Sequence, residues 1–139
     1  MADNPLVLVD TSVWIRFFRD GNSPEGEALD TLLSVAAAAT CAPIRAEVLS
    51  GAPSQREFQR LRHLFDALVA LEPPQHVWQR IEEHRFALLR RGHRVSLVDL
   101  WIALTAQAHG SSLWTLDEDF RRISAIVPIR WYQLLTLPS

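Results

Sequence analysis

Short, largely apolar runs alternate with longer amphipathic segments along the whole chain. Apolar runs of three or four residues, bounded by polar or turn-forming residues, are typical of strands buried in a parallel sheet. Such strands are predicted at residues 6–9, 40–42, 68–71 and 113–116. A further run at 126–129 contains Pro128, which has no amide proton to donate, so it predicts an edge strand.

The longer segments carry apolar residues at helical spacing. In the segment 54–68, four large apolar residues share one helix face and arginines occupy the opposite face. Ser23 followed by Pro24 predicts the start of another helix, because serine is a common cap and proline is favoured at the first helical position. The remaining helices are predicted at 11–18, 44–49, 77–91, 96–109 and 117–123. This alternation predicts an α/β sandwich with a mainly parallel central sheet.

The length of 139 residues suits one domain with one hydrophobic core, so we expect a single domain over residues 1–139. No apolar run approaches the roughly 20 residues that cross a bilayer, and the first residues are too few and too polar for a signal peptide. We therefore expect no membrane contact and a cytoplasmic protein. The single Cys41 excludes disulfides and multi-cysteine metal sites, and it fits a reducing compartment.

All 14 basic residues are arginines, and the chain has no lysine. This excludes the lysine-dependent chemistry of P-loop nucleotide sites, protein kinases and Schiff-base enzymes. The net charge of −2 gives no overall attraction to nucleic acid, so binding of a polyanion needs a local arginine cluster or bound cations. The densest basic cluster contains Arg90, Arg91 and Arg94, which are candidate RNA contacts, although most arginines are simply solvated or paired.

Acidic residues recur where predicted strands end and helices begin. Asp10 follows the first strand, Asp117 follows the strand at 113–116, and Asp99 lies in the first turn of the helix at 96–109. In a parallel sheet these positions can converge on one edge, where three carboxylates repel one another unless a cation binds them. Helix capping explains Asp10 or Asp117 equally well when each is taken alone.

Asp99 and Glu47 are harder to explain as caps. Asp99 shares its helix face with Ile102 and Ala103, so it is predicted to point inward, where a carboxylate needs a partner. The alternative is a capping box, because Ser96 lies three residues before it. Glu47 lies in the middle of a helix and cannot cap it, although a single glutamate there is most often solvated.

A donor set of carboxylate oxygens without cysteine suits Mg²⁺ or Mn²⁺. Two such ions, about 4 Å apart, activate a water and stabilise the leaving oxygen in phosphodiester cleavage. Thr11, Ser12 and Thr115 are candidates to hold surrounding waters or phosphate oxygens, or they are local helix caps. Asp119 is either a fifth acid near the cluster or a surface residue.

Four motifs, in order, resemble those of the PIN domain family. They read Leu-Val-Leu-Val-Asp10-Thr11-Ser12, Ile44-Arg-Ala-Glu47, Ser96-Leu-Val-Asp99 and Trp114-Thr115-Leu-Asp117-Glu-Asp119. No single motif is specific, but their order and spacing match across essentially the whole chain. The length is that of VapC-type toxins, the ribonuclease halves of bacterial toxin–antitoxin pairs.

The resemblance implies a three-layer α/β/α sandwich and an endoribonuclease that uses one or two Mg²⁺ or Mn²⁺ ions. It also implies a structured RNA substrate (tRNA or rRNA), a homodimer and a small VapB-type antitoxin. The family's catalytic and metal-binding acids match Asp10, Glu47, Asp99 and Asp117. Asp119 matches a position that is acidic in many members. One departure is the bulky pair Leu100 and Trp101, where smaller residues are common.

Three questions stay open at this point. The chain is alternatively a catalytically inactive PIN-like binding module, although such a module should have lost one of the four acids. It is alternatively a free-standing RNA-processing nuclease without an antitoxin. Trp14, Phe17 and Phe18 lie on one short helix, where they either pack into the core or line a groove for an antitoxin helix.

Overall fold

Four short parallel strands form the centre of the structure, a computed structural model that describes residues 5–134. Residues 1–4 and 135–139, which belong to the expected domain, lie outside the described residues. The sheet order is β3-β2-β1-β4, and every neighbouring pair is parallel. The strands are β1 (Val7–Val9), β2 (Ala38–Thr40), β3 (Val69–Ala70) and β4 (Ser112–Trp114).

Seven helices connect and cover these strands within residues 5–134. They are α1 (Thr11–Arg19), α2 (Pro24–Ser34), α3 (Ala42–Ser50), α4 (Gln55–Asp66), α5 (Val77–Arg90), α6 (Leu97–His109) and α7 (Asp119–Ile123). α1 packs against α2 and α3, and α3 packs against α4, whereas α5 and α7 pack against α6. The sheet thus lies between two groups of helices, which confirms the α/β/α sandwich. No helix in the described part of the chain is both long and apolar enough to cross a bilayer.

Local sequence signals set most helix boundaries. Ser23, Ser54 and Ser96 each accept a hydrogen bond from an amide in the first turn of the following helix, at 2.9 to 3.1 Å. α6 ends at Gly110, whose positive φ of 62° is readily adopted by glycine. Residues 100–106 of α6 are all buried, so this helix is the central element of its layer and accommodates the bulky pair of the third motif.

The sequence leaves two interpretations for the aromatic residues of α1, packing into the core or lining a groove. The structure gives a different answer for different residues. Trp14 is fully buried and packs on Phe65 of α4, with ring centroids 4.7 Å apart, which confirms the core interpretation for this residue. Phe17 is partly buried against it. Phe18 stacks on Trp14 at 6.0 Å but keeps 41% of its surface exposed.

Two predicted strands differ from the structure: one does not form and the other is shifted. The predicted edge strand at 126–129 is wrong, because the amides of Ile126 and Val127 donate to the Ile123 carbonyl at the end of α7. The chain instead meets β4 a few residues later, through a single parallel bridge between Trp131 and Leu113. The strand expected at 40–42 begins two residues early, since Ala36 adopts a positive φ of 56° and ends the preceding helical region.

The strand order creates a switch point in the sheet. From β1 the chain moves outward through β2 to β3, and β4 then returns to the opposite side of β1. In open α/β sheets, ligands bind in the crevice that such a reversal leaves at the carboxyl ends of the strands. Asp10 directly follows β1, and Thr115 and Asp117 follow β4, so the topology brings these residues to one crevice.

Candidate metal centre

Three carboxylates converge at the switch point. Asp99, Asp117 and Asp119 each offer an oxygen that lies within 4.8 Å of the other two. Asp99 is partly buried, and the other two are exposed. The sequence alone leaves Asp119 as either a fifth acid or a surface residue, because a residue in the first turn of a short helix has no fixed direction until the helix is docked. We call these three residues the acidic cluster.

Asp10 lies beside the cluster at the end of β1, with 7% of its surface exposed. Its Oδ2 accepts hydrogen bonds from the hydroxyls of Ser12 and Thr115, both at 2.8 Å. In the described part of the chain no amide of α1 donates to this carboxylate, so helix capping does not account for Asp10. Its negative charge contributes to raising the pKa of Asp99 and of Glu47, which places it in the same electrostatic site.

The two hydroxyls connect the ends of β1 and β4. Thr115 Oγ1 also accepts a hydrogen bond from the amide of Asp117 at 3.0 Å, and Ser12 Oγ accepts one from the amide of Leu116 at 3.0 Å. Each hydroxyl therefore donates to Asp10 while it accepts from the loop that carries Asp117. This network fixes the position of Asp10 relative to Asp117. Thr11 does not join it, and its hydroxyl is buried without a hydrogen-bond partner among the described residues.

Capping explains part of the role of Asp117. Its Oδ1 accepts a hydrogen bond from the amide of Asp119 at 2.9 Å, which fixes the turn that begins α7. A carboxylate oxygen has two lone pairs and the group has two oxygens, so this bond leaves capacity for a ligand. Asp119 also approaches Arg122 Nη1 at 3.4 Å, but both side chains are about half exposed, so this ion pair neutralises the cluster weakly.

The pKa of Asp99 is raised from 3.8 to about 6. Burial is the largest cause, and the negative charges of Asp10, Asp117 and Asp119 act in the same direction. A hydrogen bond from the Ser96 side chain to the carboxyl opposes the shift. A carboxyl that resists ionisation in the company of other acids is typical of a site that a cation stabilises.

Glu47 faces Asp99 from the opposite wall. Both residues line a shallow depression between α3 and the start of α6. Glu47 is exposed and lies outside the acidic cluster, but partial burial and the charge of Asp10 raise the pKa of its carboxyl. Glu47 is thus solvent-exposed, as the sequence alone favours, and it also lies at the rim of the site.

The residues present fit a hard divalent cation. The donors in the cluster are carboxylate oxygens, which Mg²⁺ and Mn²⁺ prefer. Cys41 supplies no soft ligand, because burial raises the pKa of its thiol to about 12 and keeps it protonated. Asp99, Asp117 and Asp119 can hold such an ion, with Asp10 beside them.

The three candidate RNA-contact arginines lie at the end of α5 and in the segment that joins it to α6. All are exposed, and the guanidinium of Arg90 lies over the ring of Phe86 at 5.8 Å from its centroid. Among the described residues, Arg91 and Arg94 form no ion pair with a carboxylate, and Arg94 lies two residues before the cap of α6. They remain candidates for a phosphate contact beside the cluster.

The raised pKa of Asp99 predicts a pH dependence of stability in metal-free protein. The folded protein binds this proton more tightly than the unfolded chain, so the free energy of unfolding falls as pH rises from 3.8 to about 6. Because the carboxyl is only partly buried, we expect a loss of about 1 kcal/mol. Urea unfolding between pH 4 and 7, in wild type and Asp99→Asn, measures it. Parallel stability profiles for the two proteins would contradict the expectation.

Comparison with known proteins agrees with this geometry. Residues 7–126 match the PIN domain family. The ribonuclease VapC11 of Mycobacterium tuberculosis is 33% identical over 129 residues, which cover 90% of this chain and 96% of that protein.

Two solved structures share the fold. The VapBC-1 structure from nontypeable Haemophilus influenzae has a TM-score of 0.72 at 21% identity, covering 93% of this chain and 98% of its own. A toxin–antitoxin complex from Klebsiella pneumoniae has a TM-score of 0.60 at 27% identity, covering 88% and 92%. Since the family match spans most of the sequence and the relative is matched over nearly its whole length, this chain belongs to the PIN domain family.

Proposed function

We propose that this chain is a Mg²⁺- or Mn²⁺-dependent endoribonuclease, acting as a single domain over residues 1–139. The observation that carries the proposal is the convergence of Asp99, Asp117 and Asp119 beside the buried Asp10 at the switch point of the sheet. The relative that is 33% identical to this chain is named a ribonuclease, which supports RNA as the substrate. An inactive binding module has no need for this arrangement of carboxylates.

We assign the catalytic acids as Asp10, Glu47, Asp99 and Asp117, with Asp119 as a further ligand. One or two divalent cations, when bound, would supply the positive charge that an acidic site needs to accept a phosphodiester and to activate water. Asp99, Asp117 and Asp119 would hold the cation. Asp10 would be oriented by the hydroxyls of Ser12 and Thr115, and Glu47 would close the site from α3.

The experiment that tests this function is cleavage of total cellular RNA by the purified protein, freed of any bound partner. We expect discrete fragments with Mg²⁺ or Mn²⁺ and none with EDTA, and the fragment ends would identify the tRNA or rRNA target. A folded protein that cleaves neither total RNA, tRNA nor rRNA with either metal would contradict the proposal and favour the binding module.

We also propose that the chain is the toxin of a type II toxin–antitoxin pair and acts in the cytoplasm. A groove of about 600 Å³ between α1, α3 and α4 exposes Ile15 and Phe18 and continues to Val48 and Leu61. An amphipathic helix of a VapB-type antitoxin would bury these side chains. Glu47 lines both this groove and the depression that contains Asp99, so a helix in the groove would adjoin the catalytic site.

Phe18→Asp is expected to abolish co-purification with the antitoxin, because an ionised carboxylate would be buried in the apolar groove. Phe18 is half exposed in the free chain, so the variant should fold and retain RNA cleavage. Val35→Asp is the matched control, since Val35 is exposed but lies outside the groove. Undiminished antitoxin binding by Phe18→Asp would exclude this groove as the antitoxin site.

A homodimer is the last part of this proposal. α5 exposes Trp78, Phe86 and Leu89 on one face, and Phe86 keeps 66% of its surface exposed. Glu82 and Arg90 lie four residues on either side of Phe86, so an antiparallel two-fold pairing of α5 brings each glutamate opposite the partner's arginine. Sedimentation of the purified chain tests this, and a particle with the mass of one chain would contradict it.

A further inference from the structure

A second cavity opens beside the acidic cluster. Its volume is about 320 Å³, within the range of small-molecule sites. Its walls include Glu25, Trp114, Leu116, Asp117, Trp131 and Tyr132. Asp117 belongs to both this cavity and the acidic cluster, so a group bound in the cavity lies next to the site where the phosphate would bind.

We propose that this cavity binds one nucleobase of the RNA, adjacent to the scissile phosphate. The inference rests on the proposed ribonuclease function and names the part of the substrate that this surface recognises. Proteins that recognise unpaired RNA stack its bases on aromatic side chains and bond the base edges with polar groups. The cavity offers both kinds of group.

Trp131 supplies the stacking surface. Trp131 lines the cavity and keeps 37% of its surface exposed, so part of the residue is available to a ligand. Its backbone is held against β4, because the Leu113 amide donates to the Arg130 carbonyl and the Tyr132 amide donates to the Leu113 carbonyl, at 2.8 and 2.9 Å. An aromatic group on a fixed backbone loses little conformational freedom when a base stacks on it.

The ring of Tyr132, another wall of the cavity, is also held in place by packing. Tyr132 packs on the buried Trp114, with ring centroids 4.9 Å apart. The cavity therefore has a rigid aromatic floor that is continuous with β4. Leu116, which is exposed, forms the apolar side nearest Asp117.

Glu25 supplies the polar recognition. Its Oε2 is buried without a hydrogen-bond partner among the described residues, and the nearest cation, Arg16 Nε, is 3.9 Å away. A carboxylate accepts hydrogen bonds from the exocyclic amino groups of cytosine, adenine and guanine, whereas uracil has no amino group. We therefore expect the cavity to favour a base with an amino group over uracil.

Uncharged nucleosides test the cavity without involving the metal centre. In ¹H–¹⁵N spectra of ¹⁵N-labelled protein, the indole signal that Trp131→Phe removes identifies Trp131. Titration with cytidine or adenosine is expected to shift this signal, and uridine is expected to shift it less. Glu25→Gln should reduce the difference between cytidine and uridine, since a neutral amide accepts more weakly than a carboxylate.

RNA cleavage provides the second readout. Loss of one stacked base by Trp131→Ala is expected to raise KM about tenfold with little change in kcat. Trp131→Phe should restore most of the loss, because a smaller ring still stacks. Val35→Ala is the control, since Val35 is an exposed apolar residue that lies outside the cavity, the groove and the exposed face of α5.

The outcomes separate the two proposals. A Trp131 signal that no nucleoside shifts, together with wild-type KM in Trp131→Ala, would overturn the base site and leave the ribonuclease intact. A nucleoside-dependent shift in a protein that cleaves no RNA would support the base site and contradict the ribonuclease.

Discussion

Asp99→Asn is expected to lower metal-dependent RNA cleavage at least 100-fold while leaving the protein folded. Asparagine keeps the shape of the side chain, and the Asp99 amide that donates to Ser96 is part of the backbone and is retained. The variant loses one of the negative charges that, on the proposed function, would hold the cation. A 100-fold loss corresponds to only about 2.7 kcal/mol of transition-state stabilisation. Single-turnover cleavage with saturating Mn²⁺ measures the effect.

The same substitution is expected to stabilise the metal-free protein at pH 7. The raised pKa of Asp99 means that its charged form is disfavoured in the folded state. Removing the charge therefore recovers about 1 kcal/mol, allowing for the partial exposure of the group, and raises Tm by about 3 °C. Adding Mn²⁺ should stabilise wild type more than the variant, because bound ligand stabilises the folded state by mass action.

Asp30→Asn is the matched control, since Asp30 is an exposed aspartate on α2 away from the cluster. It should change neither cleavage nor the response of Tm to Mn²⁺. Full activity in Asp99→Asn would remove Asp99 from the catalytic site. A loss of activity with a lowered Tm would instead indicate a structural role.

Thr115→Val is expected to weaken Mn²⁺ binding 10- to 100-fold, the usual effect of losing a group that orients a metal ligand. Valine has nearly the same shape but cannot donate to Asp10 Oδ2 or accept from the Asp117 amide, so the Asp10 carboxylate and the Asp117 backbone each lose a contact that fixes them. Removal of a hydrogen bond to a charged group also costs about 1.5 to 3 kcal/mol of folding stability. Calorimetric titration with Mn²⁺ separates the binding loss from the stability loss.

Thr31→Val provides the comparison for this variant. Thr31 is exposed, and its hydroxyl donates only to a carbonyl of its own helix at 3.1 Å. It should bind Mn²⁺ as wild type does. Unchanged Mn²⁺ affinity in Thr115→Val would show that Asp10 and Asp117 keep their positions without the threonine.

Much of the fold can be predicted from local sequence patterns. Serine caps, helix-ending glycines and short apolar runs gave the order of helices and strands, because each depends on neighbouring residues. The placement of Asp10, Asp99 and Asp117 on one edge follows from their positions after strands and at a helix start in a parallel sheet. The sequence therefore predicts that these three acids lie at one edge of the sheet.

What the sequence did not reveal depends on contacts between distant segments. The hydroxyl of Ser12 meets Thr115 at 3.4 Å across 103 residues, a pairing that no local pattern encodes. Asp119 joins the cluster only because α7 docks against α6. The position of Trp131 in a cavity wall likewise depends on its bridge to Leu113, which no local pattern predicts.

The pairing of β1 with β4 has a consequence for protein synthesis. Asp10 is made before the threonine that orients it, which comes 105 residues later. At about 5 to 20 residues per second, a ribosome takes roughly 5 to 20 s to cover that interval. During this interval Glu47 and Asp99 are also made, but the nascent chain still lacks Thr115 and the loop that carries Asp117. The site is therefore incomplete until the ribosome has translated the segment that carries Thr115 and Asp117.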